Sequence, residues 1–346
     1  MEATVADGSR TVLVLMGGES SEHDISLRSG AAVAANLAAA GWDPVPVVIG
    51  RDGRFAFPPA GAPDAPADPV DLGVAVARMQ ALAPACAFPA LHGLYGEDGR
   101  IQALCDLMHV PYVGADVIGS AVSMDKWLAK AAYHAHGIPT ADAVLLDADA
   151  LALPGWRDGV LARPGLPCVV KAPRQGSSVG VRIVRDAAAL AEAAAQAAAL
   201  GPRVMFEAFH KGRELSVPVL EDPETGVPRA LPAIEIVVKT REFFDYDAKY
   251  DAQATDEICP APIPADLAAR VAGLAVAAHR ALMLSGFSRT DFIASPDGTV
   301  VTLETNTIPG LTGQSLFPKA AAVAGIPFPA LLDTLVRRAI RVGRRG

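Results

Sequence analysis

The first forty residues constrain the fold most. TVLVLM (11–16) is an apolar run of strand length, GGESSEHD follows, and residues 25–40 read as a helix stopped by Gly41. Asp24 or Ser26 is the expected cap of that helix. WDPVPVVIG (42–50) then reads as a second strand. A strand, a crossover helix and a strand in that order pair in parallel, so the chain is expected to begin with a Rossmann-like α/β domain.

The pattern stays mixed α/β beyond this start. FPPAGAPDAPADPV (57–70) carries too much Pro, Ala and Gly for either period and is expected to be an irregular surface loop. Strand-like ACAFPAL (85–91) leads into HGLYGEDG, with a helix from about Arg100. After an expected boundary near 113–122 come a helix at 124–136, strand PCVVKA (167–172), a glycine-bearing loop, strand VRIV (181–184), an alanine-rich helix (186–200) and strand VMFEAF (204–209). From about Gly212 strands dominate: ELSVPVL, ALPAIEIVV, FSRTDFIAS and GTVVTLETN, around one long helix at 265–284. Three domains are expected, at 1–115, 116–208 and 209–346.

Composition narrows the partners. The 346 residues are 51% hydrophobic and carry a formal net charge of −8 without a basic stripe, which argues against nucleic acid. The only cationic run, Arg337, Arg338, Arg341, Arg344 and Arg345, is expected to be a solvated helix end. A few lysines in a closed pocket still bind phosphate locally, whatever the global sum. The four cysteines, Cys86, Cys105, Cys168 and Cys259, form no C-x-x-C pair and are expected to be free thiols in a reducing compartment. No stretch reaches the roughly 18 uncharged apolar residues of a membrane span, and the polar start is unlike a secretory signal, so a soluble cytoplasmic protein without membrane partners is expected.

Chemistry concentrates in FSRTDFIASPDGTVVTLETN (287–306), two alternating strands around the turn Ser295-Pro296-Asp297-Gly298. Period two puts Arg289 and Asp291 on one face of the first strand, and Glu304 and Asn306 on one face of the second. If Ser295 pairs with Gly298, all four share a face, with Asp291 opposite Thr302 and diagonal to Glu304; a one-residue bulge would undo this. Two carboxylates and a carboxamide suit Mg²⁺, which takes oxygen ligands and leaves positions for substrate phosphates and water. The bland alternative is a solvated charged face. It is weakened by NTIPGLTGQS (306–315), a kinked loop offering N–H groups and hydroxyls directly beside the carboxylates.

KAPRQGSSVG (171–180) is a second such place. Its small residues form a loop whose amides suit phosphate, and Lys171 ends the strand before it. Gly176 to Gly180 also fits G-x-S-x-G, with Ser178 as a would-be nucleophile. A nucleophile elbow needs a strand running straight into the serine and a helix directly after; here a strand-like run follows, and the hydrolase reading fails on context. No G-x-x-x-x-G-K-[ST] and no H-E-x-x-H occurs.

Four segments together resemble the D-alanine–D-alanine ligases of the ATP-grasp superfamily: GGESSEHDISLRSG (17–30), HGLYGEDGRIQ (92–102), SMDKWLAK (123–130) with KAPRQGSSVG, and FFDYDAKY (243–250) through the hairpin to NTIPGLTGQSL (306–316). They span nearly the whole chain in the family's order. The resemblance implies an ATP-grasp fold and assigns roles. Glu22 would hold the first D-alanine's ammonium, with Ser177 and Tyr250 closing on it and His92 near the same substrate. Lys126, Lys171, Ser177, Ser178 and Phe243 would contact ATP, Lys249 the γ-phosphate and second substrate, and Glu207 and Glu214 the adenine and ribose. Asp291, Glu304 and Asn306 would hold two Mg²⁺, or Mn²⁺ in their place. Arg289 and the Gly310 amide would stabilise the oxyanion, while Ser315 and Leu316 would take the second carboxylate. Three departures stand out: Lys171-Ala172-Pro173 where Lys-Pro is usual, Leu311 where methionine is common, and Phe244 where tyrosine is frequent.

The implied reaction activates one D-alanine as an acyl phosphate and couples it to a second for peptidoglycan precursor synthesis, in a homodimer. Two alternatives stay open at this point: a sister ligase with D-serine, D-lactate or another acceptor, and a nucleotide-binding regulator without chemistry.

Overall fold

The computed structural model describes residues 8–62, 65–176, 179–238 and 255–343. Ser177, Ser178, Phe243, Phe244, Lys249 and Tyr250 lie outside them.

The N-terminal pattern folds as read. Strand β1 (Thr11–Gly17), helix α1 (His23–Ala39) and strand β2 (Asp43–Ile49) make a crossover, with β1 and β2 parallel. Strand β3 (Phe55–Ala56), helix α2 (Leu72–Ala81) and strand β4 (Cys86–Pro89) complete a sheet of order β3-β2-β1-β4. Val12 to Met16 are each no more than 1% exposed, as a central strand covered on both faces requires. Neither expected cap of α1 is one. The helix begins earlier, at His23, with Glu22 at the cap position, so Asp24 and Ser26 fall inside its first turn. Ser26 Oγ instead donates to Ala90 O (2.8 Å) and accepts from the Gly17 N–H (2.8 Å), fastening the turn after β1 to the end of β4.

Helix α3 (Arg100–Leu107) starts where expected. The helix expected at 124–136 is α5 (Lys126–Ala135), which starts two residues later than read, and a separate helix, α4 (Val117–Met124), fills part of the expected boundary. The physical reason for the later start is capping: Asp125 is extended (φ −91°) and its Oδ1 accepts the Trp127 and Leu128 N–H groups at 3.2 and 3.3 Å.

Strand β5 (Ala143–Asp147), helix α6 (Trp156–Ala162), strands β6 (Cys168–Lys171) and β7 (Arg182–Val184), helix α7 (Leu190–Ala198) and strand β8 (Arg203–Ala208) follow. Their strands form an antiparallel sheet of order β5-β8-β6-β7. The third sheet is also antiparallel. It holds β9 (Arg213–Glu221), β10 (Pro228–Ala230), β11 (Ile234–Val238), β12 (Thr255–Ile258), β13 (Phe287–Ala294) and β14 (Val300–Asn306), in order β12-β11-β9-β13-β14 with β10 beside β9. Helix α8 (Ala265–Ala281) covers it through Val271 and Ala275.

Helices α9 (Leu316–Val323) and α10 (Phe328–Gly343) then return the chain to its start: Leu331, Leu332, Leu335 and Val336 share one core with Val12, Val14, Val33 and Leu37. The arginine run on α10 is not uniformly solvated. The Arg338 side chain is only 13% exposed and its Nε donates to Glu221 at 2.7 Å, because α10 packs its flank against the end of β9. Arg337 and Arg341 pair with Asp333 and Glu224. Arg344 and Arg345 lie outside the described residues. All four cysteines are free, and three are buried. No single helix among the described residues is long and apolar enough to cross a membrane.

Candidate active site

The hairpin brings its polar side chains together by a register different from the simple one. Ser295 pairs with Thr299, not Gly298: its N–H donates to Thr299 O (2.8 Å), while the Gly298 N–H donates to Ser295 O (3.0 Å) with Gly298 at φ +85°. This three-residue loop needs a left-handed residue, which glycine supplies. By itself that lengthening slides β14 by one residue and would turn Glu304 away from Asp291. A second shift sits between Asp291 and Phe292, with Leu303 the extra residue on β14. Two one-residue shifts restore the parity. Asp291 therefore stands directly opposite Glu304, and Arg289 opposite Asn306.

Each carboxylate already holds a cation. Arg289 reaches Asp291 through Nε and Nη2 at 3.0 and 2.9 Å, a two-point grip that only a guanidinium provides. Asp291 also accepts from Ser216 Oγ on β9 (2.6 Å) and from Asn306 Nδ2 (3.1 Å). Glu304 receives Lys126 Nζ at 2.9 Å. Burial works against the Lys126 ammonium, but Glu304 outweighs it and the lysine holds its proton more firmly than usual. The Arg289 guanidinium is likewise buried and is raised above its ordinary value by Asp291. The donor set is thus oxygen-only and partly buried, and positive side chains already compensate its charge. That chemistry fits a hard divalent cation.

The loop after β6 has its own charge cluster. Glu207 on β8 is 2% exposed and is clamped between Lys171 at 2.5 Å and Lys130. Burial favours its neutral form, yet the two ammonium groups hold its carboxyl down to about 2. Glu207 is therefore no surface strand-end carboxylate. Two cations on one anion leave an excess positive charge beside the 171–176 segment. Lys126 joins that segment too, its N–H on Pro173 O (3.0 Å) and its Nζ on Gln175 O (2.8 Å). The Lys171-Ala172-Pro173 order therefore leaves Lys171 in the cluster. Glu214 lies on β9 two residues before Ser216, on the same face.

Glu22 is almost buried, at 9% exposure. Gly93 closes against it: φ is +73° and a Cβ there would stand 2.7 Å from Glu22 Oε2. His92 is buried with Nε2 2.9 Å from Ser29 Oγ, and burial, partly opposed by Glu22, lowers its pKa, so the ring is neutral near pH 7. Gly310 lies against Ser315, whose Oγ also accepts the Thr312 N–H at 3.1 Å, and Leu316 opens α9 beside Ile236.

Four contributors escaped the sequence reading. Lys130 is the second lysine of SMDKWLAK, four residues after Lys126 and so on one helical face with it. Ser216 sits at an inward position of an alternating strand. Asp125 caps α5 and takes Arg203. Glu97, within HGLYGEDG, accepts backbone N–H groups from Gly93 (2.7 Å) and Ile308 (3.3 Å).

Comparison with known proteins gives one answer along the chain. Residues 11–115 match the family model described as D-ala D-ala ligase N-terminus, and residues 133–337 the one described as D-ala D-ala ligase C-terminus. A D-alanine–D-alanine ligase of Anaeromyxobacter sp. (strain Fw109-5) is 43% identical over 327 residues, covering 94% of this chain and 96% of that one. One of Desulforudis audaxviator is 42% identical over 335 residues, covering 95% and 98%. Among solved structures, the D-alanine-D-alanine ligase from Coxiella burnetii superposes with a TM-score of 0.82 at 31% identity, covering 97% of this chain and 96% of that one. A D-Ala:D-Ser ligase from Enterococcus faecalis gives 0.83 at 30%, covering 95% and 98%. The ATP-grasp fold and the order of motifs agree with these matches, and the chain belongs to the D-alanine–D-alanine ligase family.

Proposed function

We propose that this enzyme joins two D-alanines into D-alanyl-D-alanine at the expense of ATP, supplying a peptidoglycan precursor. The observation that carries the reading is the face formed by Asp291, Glu304 and Asn306, with Arg289 and Lys126 in direct contact with it.

Forming an amide in water from a carboxylate is uphill, so the carboxylate must first be activated. One oxygen of the first D-alanine's carboxylate attacks the γ-phosphorus of ATP; the bond to the β–γ bridging oxygen breaks and ADP leaves. The free amine of the second D-alanine then attacks the acyl carbonyl, the C–O bond to phosphate breaks, and the amine gives up its proton. Glu22 holds the first substrate's ammonium and fixes its carboxylate toward the triphosphate. Lys126 and Lys171 neutralise phosphate oxygens, and the excess charge of the Lys130–Glu207–Lys171 cluster favours the same ligand. Arg289 and the Gly310 N–H receive the negative charge that develops on the carbonyl oxygen. Asp291, Glu304 and Asn306 would hold two Mg²⁺, or Mn²⁺; such ions, when bound, would offset charge on the phosphates.

Ser177, Ser178, Phe243, Lys249 and Tyr250 keep the roles the family resemblance gives them, as contacts to ATP and as the segment that closes over the substrates. Ser315 and Leu316 take the second carboxylate, and Glu214 joins Glu207 on the nucleoside. The enzyme acts as a homodimer in the cytoplasm, with domains at 1–115, 116–208 and 209–346. The deciding assay is ADP release with D-alanine against L-alanine, D-serine and D-lactate. Turnover with D-alanine and little with the others is expected; ADP release faster with D-serine or D-lactate than with D-alanine would overturn the assignment.

A further inference from the structure

We infer that Glu97 is a positioning residue that sets the spacing between the Glu22 carboxylate and the loop carrying Gly310. The inference rests on the roles just given to those two groups. Its two carboxylate oxygens are divided between distant parts of the chain. Oε2 accepts the N–H of Gly93, in the loop after β4, at 2.7 Å, and Oε1 accepts the N–H of Ile308, just after β14, at 3.3 Å.

Both ends matter to the reaction. Gly93 is the residue whose missing side chain leaves room for Glu22 Oε2, so holding its amide holds the wall behind the ammonium site. The Glu97 N–H also donates back to Gly93 O at 2.9 Å, closing a small ring that stiffens this turn. Ile308 lies two residues before Gly310, the residue given the oxyanion role above, with Pro309 limiting the freedom between them. One side chain therefore spans from the part of the fold that grips the donor's ammonium to the part that receives its oxyanion. A shift there changes the distance across the substrate, not the affinity for ATP.

The charge of Glu97 is tied to the same event. Burial first, and the neighbouring Glu22 second, push its carboxyl up to about 8, against the pull of the two N–H donors and of Arg289. The charged groups facing it are Glu22 at the start of α1, Arg289 on β13 and Lys126 at the start of α5. An ammonium arriving beside Glu22 favours the ionised form of Glu97. Donor binding then releases its proton to solvent near neutral pH and strengthens as pH rises toward 8.

The test is steady-state ADP release by wild type, Glu97→Gln and Glu97→Asp, from pH 6.5 to 8.5, with thermal midpoints alongside. Gln keeps the length but offers only one acceptor and cannot ionise; Asp keeps the charge but falls one methylene short. Both variants should keep ATP KM within about twofold and lose roughly 10- to 100-fold in kcat/KM for D-alanine, as expected for misplaced reacting groups. The rise of kcat/KM with pH should survive in Glu97→Asp and flatten in Glu97→Gln. D-alanine kinetics within twofold of wild type in both variants would overturn this role alone. So would a loss that tracks the thermal midpoint and falls equally on ATP KM. Wild type that released no ADP with D-alanine would overturn this role together with the function it rests on.

Discussion

Asp291 and Glu304 face each other directly across β13 and β14, and each is gripped by a cation from a different element, Arg289 on its own strand and Lys126 at the start of α5. Replacing either carboxylate therefore removes an oxygen donor and strands a buried positive group. Glu304→Ala should lower kcat by at least about 10²-fold and raise the Mg²⁺ concentration needed for half-maximal rate. Steady-state kinetics across a Mg²⁺ titration check this; a rate near wild type would remove Glu304 from the proposed metal ligands.

Gly93→Ala tests the wall behind the ammonium site proposed at Glu22. The added Cβ would stand 2.7 Å from Glu22 Oε2 at a backbone φ of +73°, so both the carboxylate and the turn must move. KM for the first D-alanine should rise roughly tenfold or more while KM for ATP stays within about twofold. Equal shifts in both constants would point to general disruption.

Glu207 makes stability depend on pH. Its carboxyl sits near 2 in the folded chain against an ordinary value of 4.5, so the unfolded chain binds the proton more readily. The contribution is complete above about pH 5 and is lost as pH falls toward 2, which is the sign for a depressed carboxylate. Urea unfolding between pH 6 and 3 should show wild-type stability falling. In Lys130→Met, with one ammonium gone, the starting value should drop by about 3 kcal/mol and the slope should be shallower.

The sequence carried the alternation, the turns and the chemistry of each segment, and those decided the fold class. It did not carry how many residues each turn consumes. Period two put Asp291 and Glu304 on matching faces, but the pairing hung on whether Gly298 would adopt φ +85° and whether Leu303 would bulge, both tertiary matters. Helix α4 was hidden because Val117, Ile118, Gly119 and Ser120 are weak helix formers; Asp116, whose Oδ1 accepts the Gly119 N–H at 2.7 Å, caps it. Arg338 read as solvated because its partner, Glu221, is 117 residues away.

The thiols offer a simple check on packing. Cys86, Cys105 and Cys168 are each 0% exposed, and burial pushes Cys105 up to about 12 and Cys168 to about 11. A thiol reagent acts on the thiolate and needs access. In the native enzyme at pH 8 an aromatic disulfide reagent should therefore titrate only Cys259, with all four reacting in denaturant. Rapid labelling of Cys86 or Cys105 would contradict the N-terminal core.

The tie between the last helix and the third sheet gives the final prediction. Glu221, at the end of β9, accepts from the Gly286 N–H (2.8 Å), Arg338 Nε (2.7 Å) and Ser285 Oγ (3.3 Å), with His279 Nε2 3.4 Å away. Burial disfavours its charge, but these donors, His279 foremost, hold its carboxyl down to about 2. Arg338→Leu leaves that carboxylate buried with its only guanidinium gone among the described contacts, a loss on the order of 3 kcal/mol. The thermal midpoint should fall by several degrees, while kcat at 25 °C changes less than about twofold because none of these groups touches the active site. Pairing it with Glu221→Gln should recover part of the loss, since removing both charges leaves no uncompensated ion. A double variant no more stable than Arg338→Leu alone would show that Glu221 acts through His279 and the Gly286 amide, not through the arginine.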